Sequence, residues 1–585
     1  MSANQSEREA RLEFTPIDQI QKSYEKILQG HSTGLTKTYQ WRIHQLKQLI
    51  YLLQENDVLL EETLTIDLGR PKKESQAEEL IGLRKEAFFA YKNLKSWLTP
   101  QNVKTELVWL AAKPKVYHEP KGVVLIIGAW NYPLAVLLGP LIGAIAGGNS
   151  IILKPSENCP ATSQLVTKLI QKYMDPNNIC VINGAKEQNT TLLNLRFDHI
   201  FYTGGPVVAK IIALKAAETL TPITLELGGK SPAIIFDDAN FPVTARRLVW
   251  AKTVNAGQTC IAPDYVLISK QNEQKFIKAI QAALKEFYPP TSQEVQNSKS
   301  ESSSDPQTSQ FCKIINRHHF DRLNNYLLKT GGEIVKLDLN SPIQPESADP
   351  TSLKVPFTLV RNLPDDDILM QEEIFGPILP IMTYDPEAQD AVQRLHQLDR
   401  SNPLTIYVFS QSEENFELVR TRTKSGQFMC NNLLFQYIIQ GLPFGGIGTS
   451  GMGNYHGYHS FLTFTYERSV ANVPFWTDFM LRSLYPPYTA FKLKFIEKLM
   501  APKTLGGKSN PNPPIGTSSK KKKLLALDSS SLGRFSLKDL TKIAFGILIF
   551  WYPIRQARLT GQGVLVDSLK KVQQCFLLIK NAKIR

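Results

Sequence analysis

Six short apolar runs follow one another between residues 122 and 238, and each ends in turn residues. They are GVVLIIGAWN (122–131), SIILKPSE (150–157), ICVINGA (179–185), HIFYTGG (199–205), ITLELGG (223–229) and SPAIIFDD (231–238). Helix-length segments such as PLAVLLGPLIGAIAGG and PATSQLVTKLIQKY lie between them. Apolar strands that alternate with helices are typical of βαβ units, in which a parallel sheet is covered on both faces. The sequence therefore predicts an α/β fold, and ligands of such sheets bind beyond the carboxyl ends of the strands.

The segments on either side of this block extend the prediction. Apolar residues recur at helical spacing through IDQIQKSYEKIL and WRIHQLKQLIYLLQENDVLLEETL, so residues 16–100 are predicted to be helical. A second α/β block is expected from about residue 230 to residue 430. A polar Ser/Gln/Pro stretch at 289–310 interrupts it and is typical of a surface loop.

Chain length and cysteine usage narrow the class of protein. A chain of 585 residues is too long for a single core and indicates two or three domains. The six cysteines are scattered without a CxxC pair, which excludes a zinc ribbon or a disulfide framework and favours a reducing compartment. The first residues, MSANQSEREARLEF, lack the apolar run of a secretory signal. We expect a cytoplasmic location and no metal site.

The net charge of +14 is concentrated in the C-terminal tail. Residues 501–585 hold 16 of the 67 Lys and Arg residues but 3 of the 53 Asp and Glu residues. The first 500 residues are therefore left with 51 basic against 50 acidic side chains. A neutral body offers no basic surface for a phosphate backbone, which excludes nucleic acid as its partner.

The tail combines this charge with apolar segments. Residues 501–535 are a Pro/Ser/Lys linker, and the apolar stretch at 543–554 that follows would cover ~18 Å as a helix, short of the ~30 Å hydrocarbon core. One helix face then carries Leu565, Leu569, Val572, Phe576 and Ile579. A basic, amphipathic segment at 536–585 is typical of one that lies on an anionic membrane surface. The alternative is that it packs on the body or on a partner protein.

Three polar residues at strand ends offer matching chemistry. Asn131 follows the first apolar run, Glu226 precedes a glycine pair, and Cys260 lies in NAGQTCIAPDY. A thiolate that attacks a carbonyl, a carboxylate that activates water and an amide that stabilises an oxyanion are the parts of acyl transfer through a thioester. Composition alone leaves open that Cys260 is a packed core thiol and Glu226 a structural carboxylate.

The ordered motifs resemble those of the aldehyde dehydrogenase superfamily. They are GVVLIIGAWNYP, LKPSE, DHIFYTGG, LTPITLELGGKSP, NAGQTCIAPDY, QEEIFGPILPI and LPFGGIGTSGMGNYHGYHSF, and the last is similar to the class 3, or fatty aldehyde dehydrogenase, branch. The resemblance spans about residues 20–490. It implies a Rossmann-like cofactor domain (1–227), an α/β catalytic domain (228–430) and a small bridging β element in a part that returns to the cofactor domain (431–500).

The resemblance also implies the role of each candidate residue. Cys260 corresponds to the nucleophile that forms a thiohemiacetal, which passes hydride to the nicotinamide and leaves an acyl-enzyme. Asn131 corresponds to the oxyanion donor and Glu226 to the base that activates water for deacylation. Glu373 corresponds to a ligand of the nicotinamide ribose and is an alternative base in class 3, and Phe375 packs near the cofactor.

The predicted cofactor is NAD, with NADP as an alternative. Lys154 and Glu157 of LKPSE correspond to contacts with the adenine-side ribose, where a glutamate repels a 2′-phosphate while a lysine attracts it. The family's phosphate loop usually has the form TGSTxxG, and here Gly205, Pro206 and Ala209 replace its Ser, Thr and last Gly. Gly204 and Gly205 still permit close approach of a pyrophosphate. The stretch GTSGMG (448–453) looks like a second phosphate loop but is expected to be a turn.

These inferences predict an NAD(P)-dependent enzyme that oxidises a hydrophobic, long-chain fatty aldehyde to the acid. The resemblance adds a homodimer, and the tail adds peripheral association with a membrane. The altered segment 430–444 is expected to line the substrate tunnel or the dimer contact. Two alternatives stay open, namely oxidation of apocarotenoid or polyene aldehydes and a catalytically silent membrane scaffold that keeps the fold.

Overall fold

A computed structural model describes residues 12–288, 311–337, 350–399 and 401–500. Its helices are α1 (Ile17–Ser32), α2 (Tyr39–Glu55), α3 (Asp57–Leu68), α4 (Lys72–Ser75), α5 (Ile81–Trp97), α6 (Ala135–Gly147), α7 (Pro160–Tyr173), α8 (Lys186–Leu193), α9 (Pro206–Glu218), α10 (Phe241–Thr253), α11 (Glu273–Phe287), α12 (Arg317–Lys329), α13 (Ile368–Gln371), α14 (Ala391–Leu398), α15 (Glu413–Arg422), α16 (Tyr458–Thr463), α17 (Asp478–Leu481) and α18 (Ala490–Met500). The predicted helical start of the chain is confirmed by α1 to α5.

The strands fall into three sheets. They are β1 (Gln101–Asn102), β2 (Lys115–Pro120), β3 (Val123–Ile127), β4 (Ser150–Lys154), β5 (Ile179–Val181), β6 (His199–Thr203), β7 (Ile223–Glu226), β8 (Pro232–Ile235), β9 (Tyr265–Ser269), β10 (Glu333–Ile334), β11 (Thr358–Arg361), β12 (Ile378–Tyr384), β13 (Thr405–Phe409), β14 (Gln427–Cys430), β15 (Gly451–Met452) and β16 (Thr465–Val470).

The first sheet has the order β15-β7-β6-β3-β4-β5. Strands β3 to β7 pair in parallel, as the alternation of apolar runs and helices predicts. Side chains of β3 point alternately to its two faces: Val123 and Leu125 join a core with helix α1, while Val124 and Ile126 join another with α6. All five residues of β3 are buried, because helices cover both faces of the sheet.

The second sheet has the order β10-β11-β12-β9-β8-β13-β14. Its strands are parallel except for the short β10, which pairs antiparallel with β11 at the edge. The chain crosses from the first sheet to the second between the end of β7 at Glu226 and the start of β8 at Pro232. These two strand ends therefore stand at the junction where the candidate catalytic residues were expected.

A small antiparallel sheet, β1-β2-β16, joins distant parts of the chain. Strand β16 pairs with β2 over six residues, from Thr465 opposite Pro120 to Val470 opposite Lys115. Strand β15 returns to the first sheet and places Gly451 opposite Glu226. The stretch 448–453 was expected to be a turn, and the structure differs in that its Gly451 and Met452 form this short strand. The predicted α/β fold class with a small bridging β element is confirmed.

No helix in the described ranges is both long and apolar enough to cross a bilayer. The predicted surface loop at 289–310, the linker at 501–535 and the amphipathic tail at 536–585 lie outside the described residues. The domain boundaries at 227/228 and 430/431 stay a prediction.

Candidate active site

The loop that carries Cys260 is built from three successive residues with left-handed backbone. Asn255, Ala256 and Gly257, between α10 and β9, have φ values of 52°, 51° and 71°. Gly257 must lack a side chain for a second reason, because a Cβ there would overlap with the carbonyl oxygen of Gly376. Such strain persists only where the surroundings hold it, and it clusters at functional sites. The loop leaves Cys260 as a free, half-buried thiol.

The Asn255 side chain ties this loop to the end of the first apolar run. Its Nδ2 donates to the carbonyls of Asn131, at 2.9 Å, and Gln258, at 3.1 Å. Its Oδ1 accepts a hydrogen bond of 2.9 Å from Nη2 of Arg70. A single buried amide thus holds two segments that are 124 residues apart in the chain.

Arg70 is a fully buried cation at the centre of this network. It donates to the Asn131 carbonyl at 2.6 Å and forms an ion pair with Glu79, whose side chain is also fully buried. Glu79 in turn accepts the backbone N–H groups of Leu134 and Ala135, at the start of α6. The charge of each buried partner is therefore compensated and hydrogen-bonded, as a buried ion pair requires.

The Asn131 side chain is bonded to the loop that carries Cys260. Its Nδ2 donates to the carbonyl of Gln258, two residues before Cys260, at 3.1 Å. An amide nitrogen carries two N–H groups, so one donor remains for a ligand. Next to it, the hydroxyl of Tyr132 lies 2.9 Å from Oγ1 of Thr259.

Glu226 carries a buried carboxyl group. It ends β7, and neither carboxyl oxygen has a hydrogen-bond partner in the part of the chain that the structure describes. This burial raises the pKa of Glu226 well above its ordinary value. An unsatisfied polar group at a site costs free energy, so Glu226 is a candidate for a role that a ligand or water completes.

Glu373 approaches the same site from the segment before β12. Its carboxylate lies over Gly228, where a Cβ would overlap with both carboxyl oxygens, and it receives the backbone N–H of Gly229. Burial and the nearby Asp264 raise the pKa of Glu373 to about 8, against the opposing pull of Lys230 and Lys252. The glycine pair after Glu226 therefore leaves room for the carboxylate of Glu373.

The carboxylates of Glu373 and Glu226 both affect the pKa of the Cys260 thiol. Burial raises the pKa of the thiol to about 12, and the charges of Glu373 and then Glu226 add to this rise. The backbone N–H groups of Cys260 and Ile261 bond to the sulfur and oppose it. Two N–H groups beside the sulfur are also available to the oxyanion that forms on the carbonyl oxygen of a substrate bonded to it. The structure thus brings Cys260, Glu226 and Glu373 together, with Asn131 bonded to the same loop.

The predicted cofactor residues lie at the carboxyl ends of β4 and β6. Lys154, almost fully buried, donates at 2.8 Å to Glu157, whose side chain remains partly exposed. Gly205 is the N-cap of α9, whose first residue is Pro206, as the sequence predicts. A Cβ on Gly205 would meet no atom within 4 Å, whereas one on Gly204 would overlap with the Tyr202 hydroxyl. An open helix N-terminus next to glycine, with a carboxylate near it, fits the pyrophosphate and ribose of a dinucleotide.

Phe375, two residues after Glu373, packs against the residue that precedes Asn131. Its backbone is left-handed, with φ at 51°, and its ring meets Trp130 edge to face at 5.3 Å between centroids. Trp130 directly precedes Asn131, so the ring links the Glu373 segment to the oxyanion donor.

The altered segment 430–444 lies beside the nucleophile. The hydroxyl of Tyr407 donates to the carbonyl of Ile261 at 2.6 Å and accepts from Nε2 of Gln436 at 3.0 Å. Burial, then Glu86 and Glu79, and last Cys260 raise the pKa of Tyr437, so this residue lies near the thiol. The same segment exposes four large apolar side chains, namely Phe435, Ile438, Ile439 and Leu442.

A model of the aldehyde dehydrogenase family matches residues 19–470 of the chain. The chain belongs to the aldehyde dehydrogenase family. This aldehyde dehydrogenase is an NAD(P)-dependent oxidoreductase that acts on the aldehyde group of its substrate. The predicted superfamily and reaction are therefore confirmed.

Relatives and solved structures agree with this membership. The aldehyde dehydrogenase is 36% identical over 478 residues to "Aldehyde dehydrogenase family 3 member H1" of Arabidopsis thaliana, which is 81% of this chain and 93% of that protein. It is 37% identical over 480 residues to "Beta-apo-4'-carotenal oxygenase" of Gibberella fujikuroi, with 82% and 85% covered. A substrate-bound structure of Staphylococcus aureus AldH superimposes with a TM-score of 0.73 at 37% identity, covering 82% of this chain and 99% of that one.

Sequence reasoning missed the charged residues that support the site. Arg70, Glu79, Lys230 and Lys252 stand in ordinary contexts such as LGRPKKE and VWAKTV, and their partners are far away in the chain. The one local signal was Lys230 itself. It is a charged residue directly after the glycine pair of ELGGK, and apolar packing does not explain its burial.

Proposed function

We propose that this aldehyde dehydrogenase oxidises hydrophobic, long-chain aldehydes to acids through a covalent intermediate on Cys260. The observation that carries the proposal is the convergence of the Cys260 thiol, two backbone N–H groups and the carboxylates of Glu226 and Glu373. The thiolate attacks the aldehyde carbon, and the N–H groups of the loop with the Asn131 amide stabilise the resulting oxyanion. Bound NAD(P)+ supplies the hydride acceptor. Water then cleaves the thioester and releases the acid.

Charge favours Glu373 as the base for deacylation at neutral pH. Burial and Asp264 raise the pKa of Glu373 to about 8, and a backbone N–H and two lysines limit this rise, whereas neither carboxyl oxygen of Glu226 has a hydrogen bond within the described ranges to limit the effect of its burial. Glu226 is the alternative base and completes the electrostatic surroundings of the thiol. Glu226→Gln and Glu373→Gln separate the two roles: each variant should give a burst of NADH, and the one that stalls after the burst has lost the base.

A hydrophobic substrate is supported by the apolar surface next to the nucleophile. The side chains of Phe435, Ile438, Ile439 and Leu442 are exposed on the segment that contacts the Cys260 loop through Tyr407 and Gln436. Trp250 packs against Phe435 at 5.8 Å between ring centroids. A long alkyl chain gains free energy by covering such side chains, since burial of apolar area contributes roughly 25 cal/mol per Å².

Polyene aldehydes are the second candidate class of substrate. The relative from Gibberella fujikuroi is named as an apocarotenal oxygenase, and it is as similar in sequence as the family 3 enzyme of Arabidopsis thaliana. Both substrate classes need the same thioester chemistry and an apolar approach to Cys260. Their relative kcat/KM values decide between them.

The experiment is NAD(P) reduction by the full chain with straight-chain aldehydes of two to sixteen carbons and one polyene aldehyde. We expect kcat/KM to rise with chain length, NAD to be favoured over NADP because of Glu157, and Cys260→Ala to abolish the signal. Preference for the polyene aldehyde would select the second class. If no aldehyde reduces either cofactor, the proposal is wrong and a silent scaffold with this fold remains.

A homodimer and a membrane-bound location complete the proposal. Helix α9 exposes one apolar face to solvent, made of Val207, Ile211 and Leu214, and a second copy of the chain would cover it. Light scattering should then give the mass of two chains, and Ile211→Glu should halve it, while Leu328→Glu on α12 should not. The basic tail is proposed to hold the cytoplasmic enzyme on an anionic membrane surface, close to long-chain aldehydes.

A further inference from the structure

Lys252 is a buried cation beside the active site. It lies in the last turn of α10 and is fully buried, and its Nζ has no hydrogen-bond partner in the described ranges. Lysine is almost never buried without a partner, because removing an ammonium group from water is costly. A lysine in this state next to an active site calls for a functional explanation.

Three charged groups face the ammonium group of Lys252: Asp264, Lys230 and Glu373. Asp264 is already engaged, since Lys230 forms an ion pair with its Oδ2 and the Ile374 N–H donates to its Oδ1 at 2.9 Å. Lys230 donates further to the carbonyls of Leu369 and Glu372. Of the two anions whose charges act on Lys252, Asp264 is thus paired with Lys230, and the carboxylate of Glu373 is the other.

Backbone packing keeps this pair in place. A Cβ on Gly257 would lie 3.0 Å from the carbonyl oxygen of Lys252 and would overlap with that of Gly376, so three backbone segments meet there. Gly228 lies against the Glu373 carboxylate, which occupies the space of a Cβ at that position. The end of α10 and the Glu373 segment therefore cannot move apart without disturbing the Cys260 loop.

We propose that Lys252 is a positioning residue whose charge favours the ionised form of the Glu373 carboxylate during hydrolysis of the acyl-enzyme. The inference rests on the proposed function and extends it. In the step concerned, a water molecule gives a proton to Glu373 while its oxygen bonds to the acyl carbon. The C–S bond then breaks, its electron pair returns to the Cys260 sulfur, and the acid leaves. Lys252 touches none of these atoms and acts through the charge of Glu373.

The charges of Lys252 and Glu373 each favour the ionised form of the other. Burial lowers the pKa of Lys252 to about 8, which Asp264 and Glu373 oppose and Lys230 assists. Burial and Asp264 raise the pKa of Glu373 to about 8, which Lys230 and Lys252 oppose. Removal of the Lys252 charge therefore raises the pKa of Glu373 further. A protonated Glu373 cannot accept a proton from water, and it no longer raises the pKa of the Cys260 thiol.

Lys252→Met in the full chain should therefore slow deacylation and speed alkylation of the Cys260 thiol. Deacylation, followed as steady turnover after the NADH burst, should slow about tenfold at pH 7.5, and its pH profile should move up by about one unit. Alkylation of Cys260 by iodoacetamide without cofactor, followed by peptide mass spectrometry, should become faster at pH 8. Lys278→Met, an exposed lysine on the neighbouring α11, is the control and should change neither. General damage to the fold would also expose Cys260 and speed its alkylation, so the pH profile of steady turnover is the deciding readout, and an unshifted profile would overturn the proposal.

A double-mutant cycle adds a readout that survives if Lys252→Met folds poorly. In Glu373→Gln the charge that Lys252 acts on is gone, so adding Lys252→Met should change turnover and pH profile no further. The double variant should also unfold at a higher temperature than Lys252→Met, because the buried Glu373 carboxyl group that has lost its cation in Lys252→Met is then absent. Additive effects in the cycle, or an unshifted profile in Lys252→Met, would overturn the role of Lys252. Failure of the proposed function would instead appear as turnover by Cys260→Ala.

Discussion

At the scale of single residues, the chemistry around Cys260 depends on groups with no signature in the sequence. Cys260, Asn131 and Glu226 could be predicted because each lies in a motif at a strand end. Arg70 and Asn255 could not, because they are 185 residues apart and their hydrogen bond exists only in the fold. Pairing over that distance follows from packing, which local patterns do not encode.

The buried pair of Arg70 and Glu79 should be the largest single electrostatic contribution to the fold near the site. Arg70→Met leaves the Glu79 charge without a partner, and breaking such a pair costs about 3–5 kcal/mol. Arg84→Met removes a half-exposed pair with Asp57 and should cost less than about 1 kcal/mol. Urea unfolding of both variants checks this, and equal losses would contradict it.

Glu226 should make the protein less stable as pH rises. Its pKa is raised in the folded state by burial, so the folded protein binds a proton that the unfolded chain has released. Stability is therefore lost as pH climbs from the ordinary glutamate pKa toward the raised one, by at most about 1.4 kcal/mol per unit. Glu226→Gln removes this dependence, so its gain in melting temperature should be larger at pH 7 than at pH 4. A gain that is the same at both pH values would show that the carboxyl is ionised in the fold.

At the scale of elements, the parallel strands and the start of α9 could be predicted, whereas the antiparallel additions could not. Pro206 at the first position of α9 follows from its missing N–H group, which a helix start does not need. Strand β15 is two residues long, and it pairs with β7 more than 220 residues earlier in the chain. Neither its length nor its composition distinguishes it from the turn that precedes it.

Gly205→Ala tests the helix N-terminus as a cofactor site. A Cβ there meets no protein atom within 4 Å and the backbone is extended, so the melting temperature should stay the same. The added methyl group occupies the space through which a phosphate approaches, and the KM for NAD should rise about tenfold with kcat little changed, at a cost of ~1.4 kcal/mol. Gly82→Ala on α5, where an added Cβ also meets no atom within 4 Å, is the control. An unchanged KM would remove α9 from the cofactor site.

At the scale of the whole molecule, the neutral body and the basic tail are expected to have separate tasks. The motifs that define the family end before residue 501, and the charge lies after it. Because the tail lies outside the described residues, its role stays a prediction from its sequence.

Deletion of residues 524–585 should separate the two tasks. The shortened enzyme should no longer sediment with vesicles that contain anionic lipid, since roughly 1 kcal/mol of attraction per basic residue near the surface is lost. Turnover of a short, water-soluble aldehyde should stay at the level of the full chain. The full chain on neutral vesicles is the control. If the shortened enzyme still sediments with anionic vesicles, the membrane contact lies in the body.

The central claim is that an acyl group is carried on the sulfur of Cys260, and one measurement tests it most directly. Glu373→Gln is mixed with NAD+ and a long-chain aldehyde, stopped by acid during the burst, digested and examined by mass spectrometry. We predict that the peptide with Cys260 gains the mass of the acyl group in an amount equal to the NADH formed. NADH formation without any acyl group on that peptide, or with the acyl group on another residue, would contradict the account.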